Sequence, residues 1–220
     1  CVHPTDARDG RRRVGGTKTP DIARIRALEP DFVLANREEN RAEDIAAIGD
    51  FAPVYVTDVN SLPQALAMTR AVGFALGAEA RAARIAADIE SAFAGLPKLD
   101  GRRCAYLIWR EPWMAAGGDT FIGDLMQRLG LVNVFDTSPR YPELTPAELA
   151  AAAPDVVLLP SEPYPFKPAH GAEIAAALPQ ARIVPVDGEM FCWPGSRLLA
   201  AAGYFRELLP TLVGAPGVVR

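Results

Sequence analysis

The feature that most restricts this chain is an ordered run of local signals that occurs twice. Pro20 sits where a helix begins, and Ile22, Ile25, Ala27 and Leu28 recur on one helical face. Pro30-Asp31 stops that helix, and Phe32-Val33-Leu34-Ala35 is a short apolar run suited to a buried parallel strand. Asn36 to Arg41 reads as a polar loop, Ala42 to Ile48 as a second helix, and Pro53-Val54-Tyr55-Val56 as a second strand, completing a βαβ unit. About 125 residues further on the order returns. Thr145-Pro146 opens a helix through Leu149, Pro154-Asp155 ends it, and Val156-Val157-Leu158-Leu159 is the apolar strand. Ser161 to His170 reads as the loop, Ala172 to Leu178 as the second helix and Ile183-Val184-Pro185-Val186 as the second strand. Two copies of one α/β unit imply two lobes.

Between the copies the pattern turns helical. Ser61 and Gln64 have capping-box spacing around Pro63, and Leu62, Ala65, Met68, Val72 and Leu76 follow one helix face up to Gly77. Glu79 to Phe93 carries Ile85, Ile89 and Phe93 at i, i+4 and i+8 with charges elsewhere. At ~1.5 Å per residue this helix spans roughly 22 Å, enough to bridge two lobes as a stiff rod. Leu96-Pro97 ends it, and Ala105 to Trp109 opens the second half with a strand. The expected organisation is an N-terminal lobe over 1–60, a helical segment over 61–97 and a C-terminal lobe over 98–220.

Composition removes several alternatives. Half of the 220 residues are hydrophobic, 23% are charged and the formal net charge is −4, which fits neither a disordered chain nor a basic nucleic-acid surface. Arg11-Arg12-Arg13, the one dense basic run, reads as an exposed loop. No apolar stretch approaches the roughly 20 residues that span a bilayer, so membrane insertion is not expected. Cys1, Cys104 and Cys192 are too few and too scattered for a disulfide framework or a zinc knuckle.

Enzymatic motifs fail one by one. Gly10 and Gly15 with Gly16-Thr17-Lys18-Thr19 half-match a phosphate-binding loop, but Gly16 stands where the motif requires lysine. Ser196 lies in Pro194-Gly195-Ser196-Arg197, outside any nucleophile elbow. With only His3 and His170 present, a catalytic triad or a histidine-rich metal site has little to draw on, and both read as loop residues. Gly117-Gly118-Asp119-Thr120 is a tight turn feeding a helix over Phe121–Leu129, capped by Asp119 or Thr120. Aromatic residues gather instead in segments that follow strands: Trp109, Trp113, Tyr141, Tyr164, Phe166, Phe191 and Trp193. Open α/β sheets bind ligands beyond the carboxyl ends of their strands, where these segments fall.

Six segments carry a family resemblance: "CVHP", "RVGGTKTPD", "LEPDFVLANREEN", "GGDTFIGDLMQRLGLVNVF", "RYPELTPAELAAAAPDVVLL" and "DGEMFCWPGSR". In that order the chain resembles the periplasmic binding proteins that deliver cobalamin, haem or iron–siderophore complexes to ABC importers, and most of all the cobalamin branch. The resemblance implies an α/β fold of two Rossmann-like lobes joined by one long rigid helix. It implies periplasmic location, no catalysis, no intrinsic cofactor and a permease dimer as partner. In such proteins "CVHP" lies inside the first lobe, so the N-terminal lobe is expected to be truncated by one strand–helix pair. Cys1 is therefore read as an ordinary cysteine rather than a lipid anchor. A monomer is expected, with a dimer as the alternative if a sheet edge is left bare.

Carried over residue by residue, the resemblance assigns ligand contacts to Asn36 and Arg37 in the first lobe. In the second it assigns them to Trp113, Met114, Tyr141, Glu162, Glu189, Trp193 and Arg197. It assigns permease docking to Glu43 and Glu173, each read as opening the second helix of its copy. Cobalamin or a related corrinoid is the first expected ligand. Haem is second, with Tyr141 or Tyr164 as axial ligand. A ferric siderophore is third, since it would want more arginines than Arg37, Arg110, Arg140 and Arg197 supply. The rival class is an enzyme or assembly subunit on a similar two-lobed scaffold.

Overall fold

The computed structural model describes residues 5–219, so Cys1 and His3 lie outside the described residues. The chain forms two compact units that meet in sequence between Asp58 and Val59.

The first unit opens with a 3₁₀ turn (Thr5–Arg8) and a small antiparallel ladder, β1 (Gly15–Gly16) with β2 (Thr19–Pro20). The first copy of the repeat then follows in the anticipated order. It comprises α1 (Ile22–Arg26), β3 (Val33–Asn36), α2 (Ala42–Gly49) and β4 (Val54–Thr57). The Asp21 carboxylate accepts the Arg24 N–H and caps α1. β3 and β4 pair in parallel, Val33 with Val54 through Asn36 with Thr57. Ile25, Ile48 and Ala52 bury one face of this pair together with Val33 and Val54, while Leu34 stays 52% exposed.

The second unit begins with α3 (Leu62–Ala75) and α4 (Glu79–Ala94), so the helical segment packs with the second lobe's elements. The two helices approach closely at Gly73, where a Cβ would lie 2.1 Å from the Ala82 Cβ. Ala82, Ala86, Ile89 and Phe93 are the buried stripe of α4, and Phe93 meets Phe205 edge-on.

A seven-stranded sheet follows. It contains β5 (Arg102–Trp109), β6 (Trp113–Ala115), β7 (Leu131–Asn133), β8 (Glu143–Leu144), β9 (Val156–Pro160), β10 (Arg182–Val186) and β11 (Gly217–Val218). The path runs β11-β10-β9-β5-β6-β8, with β7 also on β5. One edge of β5 is shared: β7 runs parallel to its first half, and β6 returns antiparallel along its second half. The helices are α5 (Phe121–Arg128), α6 (Pro146–Ala151), α7 (Pro168–Ala177), α8 (Glu189–Cys192) and α9 (Leu198–Thr211). The second copy of the repeat is α6-β9-α7-β10, element for element the order of the first, with β9 and β10 parallel.

The apolar runs are explained by burial on both faces. Cys104, Tyr106, Ile108, Val156, Leu158, Val184 and Val186 face the core shared with α3, α4, α5, α8 and α9. Ala105, Leu107, Val157, Leu159 and Ile183 face the core under α6 and α7. Among the described residues no helix is long and apolar enough to cross a membrane.

Two local expectations need correction. The second loop ends before Pro168, which takes the first turn of α7. His170 is therefore a helical residue, and its Nδ1 accepts the Lys167 N–H at 3.0 Å. Glu173 consequently sits in the second turn of α7, whereas Glu43 does lie in the first turn of α2.

Candidate functional site

In the second unit the carboxyl ends of β5, β9 and β10 run into three segments: Arg110–Pro112, Ser161–Lys167 and Asp187–Trp193. Two of them touch through Gly188. A Cβ there would lie 2.4 Å from the Glu162 carbonyl oxygen, so only glycine lets the loops meet. The Gly188 N–H donates to Ser161 Oγ at 3.1 Å, and the Tyr204 hydroxyl accepts the Asp187 N–H at 2.9 Å. This contact gathers four of the anticipated side chains. The Glu162 carboxylate accepts from the Trp193 indole N–H and from the Cys192 thiol, the latter at 3.4 Å. Beside it, Arg197 Nη2 lies 3.0 Å from Glu189 Oε2, both side chains being about three-quarters buried.

The electrostatics follow from this packing. Burial, then the neighbouring Glu162, pushes the Cys192 thiol well above its ordinary range, so it is a protonated donor. Burial likewise raises Tyr204. The Tyr106 ring packs 5.0 Å from Phe191, fully buried, and its hydroxyl has no hydrogen-bond partner among the described residues.

A second cluster forms around the β5–β6 hairpin tip. Trp109 meets Tyr164 edge-on at 5.4 Å, and Trp113 stacks on Phe166 at 6.1 Å with an 11° interplanar angle. Tyr164 and Phe166 also meet each other and the His170 ring. Arg110 lies 5.6 Å over the Trp113 ring and pairs with Glu173 at 3.1 Å and with Glu111. Glu111 itself has left-handed backbone, φ +68°. Met114, on β6 opposite Trp109, packs against the larger core. Tyr141 sits under Arg140, whose guanidinium is 5.4 Å from the ring and bonds Asn60 at 2.8 Å.

In the first unit Asn36 is spent locally. Its Oδ1 accepts the Glu38 and Glu39 N–H groups at 2.9 and 3.1 Å, and its Nδ2 donates to Thr57 Oγ1. Arg37 pairs with Asp58. Thus Glu162, Glu189, Trp193 and Arg197 form one group, Trp113 belongs to the aromatic cluster, Met114 stands on β6, and Tyr141 lies in the bend that leads into β8. Sequence reasoning passed over Cys192, Gly188, Tyr204 and the Arg110–Glu173 pair. A thiol and a glycine inside "DGEMFCWPGSR" were the visible signs. Among the described residues no group of three or more His, Cys, Asp or Glu side chains could hold a metal ion.

Comparison with known proteins gives the class. The model of the periplasmic binding protein family matches residues 1–175. The vitamin B12 binding protein BtuF of Vibrio cholerae superposes with a TM-score of 0.71 at 18% identity, covering 96% of this chain and 85% of that one. The haem-binding protein RhuT from Roseiflexus sp. RS-1 gives 0.76 at 21% identity, covering 96% and 86%. A possible iron-binding (periplasmic solute-binding) protein from Staphylococcus epidermidis gives 0.77 at 17% identity, covering 94% and 86%. No curated protein matches the sequence. The chain belongs to the periplasmic binding protein family. It is a substrate-binding protein of the ABC-importer type, not an enzyme, and its family works with permease partners and carries ligands rather than resident cofactors.

Proposed function

We propose that the chain captures cobalamin or a related corrinoid, using Asn36 and Arg37 from one lobe and the strand-end residues of the other. The observation that carries this reading is charge balance at the strand ends. Arg37 pairs with Asp58, Arg110 with Glu111 and Glu173, and Arg197 with Glu189. Arg140 is engaged by Asn60. Haem brings two carboxylates and a siderophore complex is commonly anionic, so at Arg37, Arg110 and Arg197 either would have to displace a carboxylate from its guanidinium. A corrin ring edged with neutral amides needs aromatic faces and hydrogen bonds, which Trp113, Met114, Tyr141, Glu162, Glu189, Trp193 and Arg197 would offer. Glu43 and Glu173 dock the loaded protein on its permease in this reading.

One observation favours haem as a second reading. Tyr164 stands in the loop after β9 with ring contacts but no hydrogen bond from its hydroxyl among the described residues, a disposition suited to an axial ligand. His170 is less suited: its Nδ1 accepts an amide proton, so Nε2 carries the ring proton. Titrating the full-length protein with cyanocobalamin and with haemin, followed by absorbance, tests both. Saturable 1:1 binding of cobalamin with weaker haemin binding supports the corrinoid reading. Tight haemin binding whose visible spectrum collapses in Tyr164→Phe would replace it with haem.

A further inference from the structure

We infer that Arg110 is an internal counter-ion that masks Glu173, so that docking on the permease sets one guanidinium in competition with another. The inference rests on the docking role of Glu173 proposed above. Arg110 stands at the tip of the β5–β6 hairpin with its side chain three-quarters buried. Its Nε and Nη2 lie 3.2 and 3.1 Å from Glu173 Oε2, and its Nη1 bonds the Glu111 carboxylate. Both edges of the planar fork are thereby used, and the guanidinium carbon lies 5.6 Å from the Trp113 ring centroid, within cation–π range. Burial alone would lower the Arg110 pKa, but Glu111 and Glu173 outweigh it and raise it. The guanidinium therefore stays charged, held from three directions and not swinging freely in solvent.

This geometry has a consequence for any cationic partner. The Glu173 side chain is 45% exposed, reachable from outside yet already neutralised from inside. Both Arg110 contacts fall on Oε2, so a partner's arginine competes with Arg110 for a carboxylate whose charge is already largely balanced, and it gains most where Arg110 turns to Glu111. The first unit shows the same arrangement in a looser form. Arg41 Nη1 lies 3.5 Å from Glu43, but its strong bonds go to Asp44 at 2.9 and 3.2 Å, and Glu43 remains 68% exposed. Masking should thus weigh on Glu173 and hardly on Glu43. Because Arg110 belongs to the β5–β6 hairpin, the masked carboxylate is tied to the hairpin that carries Trp113, a proposed ligand contact.

The test measures binding of the full-length protein to the permease–ATPase complex of the same organism, immobilised in detergent, at low and moderate salt. Arg110→Gln is expected to bind about two- to fivefold tighter, the range for releasing a partly exposed ion pair. Glu173→Gln should bind more weakly, and in its background Arg110→Gln should bring no gain. Arg110→Lys, which keeps the charge but loses the fork, should fall between wild type and Arg110→Gln, and thermal melting checks that each variant folds. If Glu173→Gln weakens binding while Arg110→Gln fails to strengthen it, masking is overturned and the docking reading survives. A gain from Arg110→Gln that persists without Glu173 also overturns it, since that gain is a general charge effect. If Glu173→Gln changes nothing, the docking reading falls and masking falls with it.

Discussion

At the scale of single residues, the second unit places an unsatisfied polar atom in its core. Tyr106 is fully buried on β5 and its hydroxyl lacks a partner among the described residues, which costs about 1–3 kcal/mol in desolvation. Tyr106→Phe keeps the ring packing against Phe191, so its melting temperature should equal or exceed that of the parent; a clear drop would mean that the hydroxyl is satisfied in solution. Glu148 illustrates the opposite case. Two hydrogen bonds from Thr145, first from its backbone N–H and then from its hydroxyl, hold the Glu148 carboxyl below its ordinary pKa of 4.5. A carboxyl with a depressed folded pKa contributes stability above the unfolded value, and that contribution is lost as pH falls through the folded one. Stability measured against pH should therefore fall less steeply on the acid side of 4.5 in Glu148→Gln than in the parent. Equal acid limbs would contradict the capping account. Such pairings were only partly legible beforehand. The capping glutamate lies three residues from Thr145, but Glu162 and Trp193 are 31 residues apart and Arg110 and Glu173 are 63 apart. No local pattern joins residues at those distances.

Elements were read more securely, because helices and buried strands leave periodic traces. The Pro-Asp stops before Val33 and Val156 and the four-residue apolar runs after them reappear as α1-β3-α2-β4 and α6-β9-α7-β10. The start of α7 escaped notice for a physical reason. Pro163, Pro165 and Pro168 look alike in sequence, yet only Pro168 occupies a first helical turn, where a missing N–H costs nothing. The two-sided core was also hidden. With both faces of β5 and β9 apolar, alternation cannot be seen until helices are assigned to each face. What joins the ends of β9 and β10 is Gly188, whose φ of −62° any residue could adopt, so its role is space alone. Gly188→Ala forces a methyl against the Glu162 backbone and should destabilise by about 1–3 kcal/mol, the usual cost of overpacking. The Trp193–Glu162 bond should loosen with it. Chemical denaturation gives the energy, and an unchanged midpoint would show that the loops do not press together at this glycine.

At the scale of the whole molecule, the family and the class of activity rest on the match over residues 1–175. The choice of ligand rests on chemistry at the strand ends. That chemistry was half visible in the sequence, which displayed the aromatic residues but not the ion pairs that neutralise the arginines beside them. If the corrinoid reading holds, Trp193 and its Glu162 anchor lie against the ligand, and binding must be seen by the indole. The most direct measurement is a tryptophan-quenching titration of the full-length protein with cyanocobalamin, compared with Trp193→Phe and Glu162→Gln. Saturable 1:1 quenching is predicted, with affinity at least tenfold weaker in Trp193→Phe, a loss of about 1.4 kcal/mol, and a smaller loss in Glu162→Gln. Absence of saturable binding, or binding that neither substitution weakens, would contradict the account.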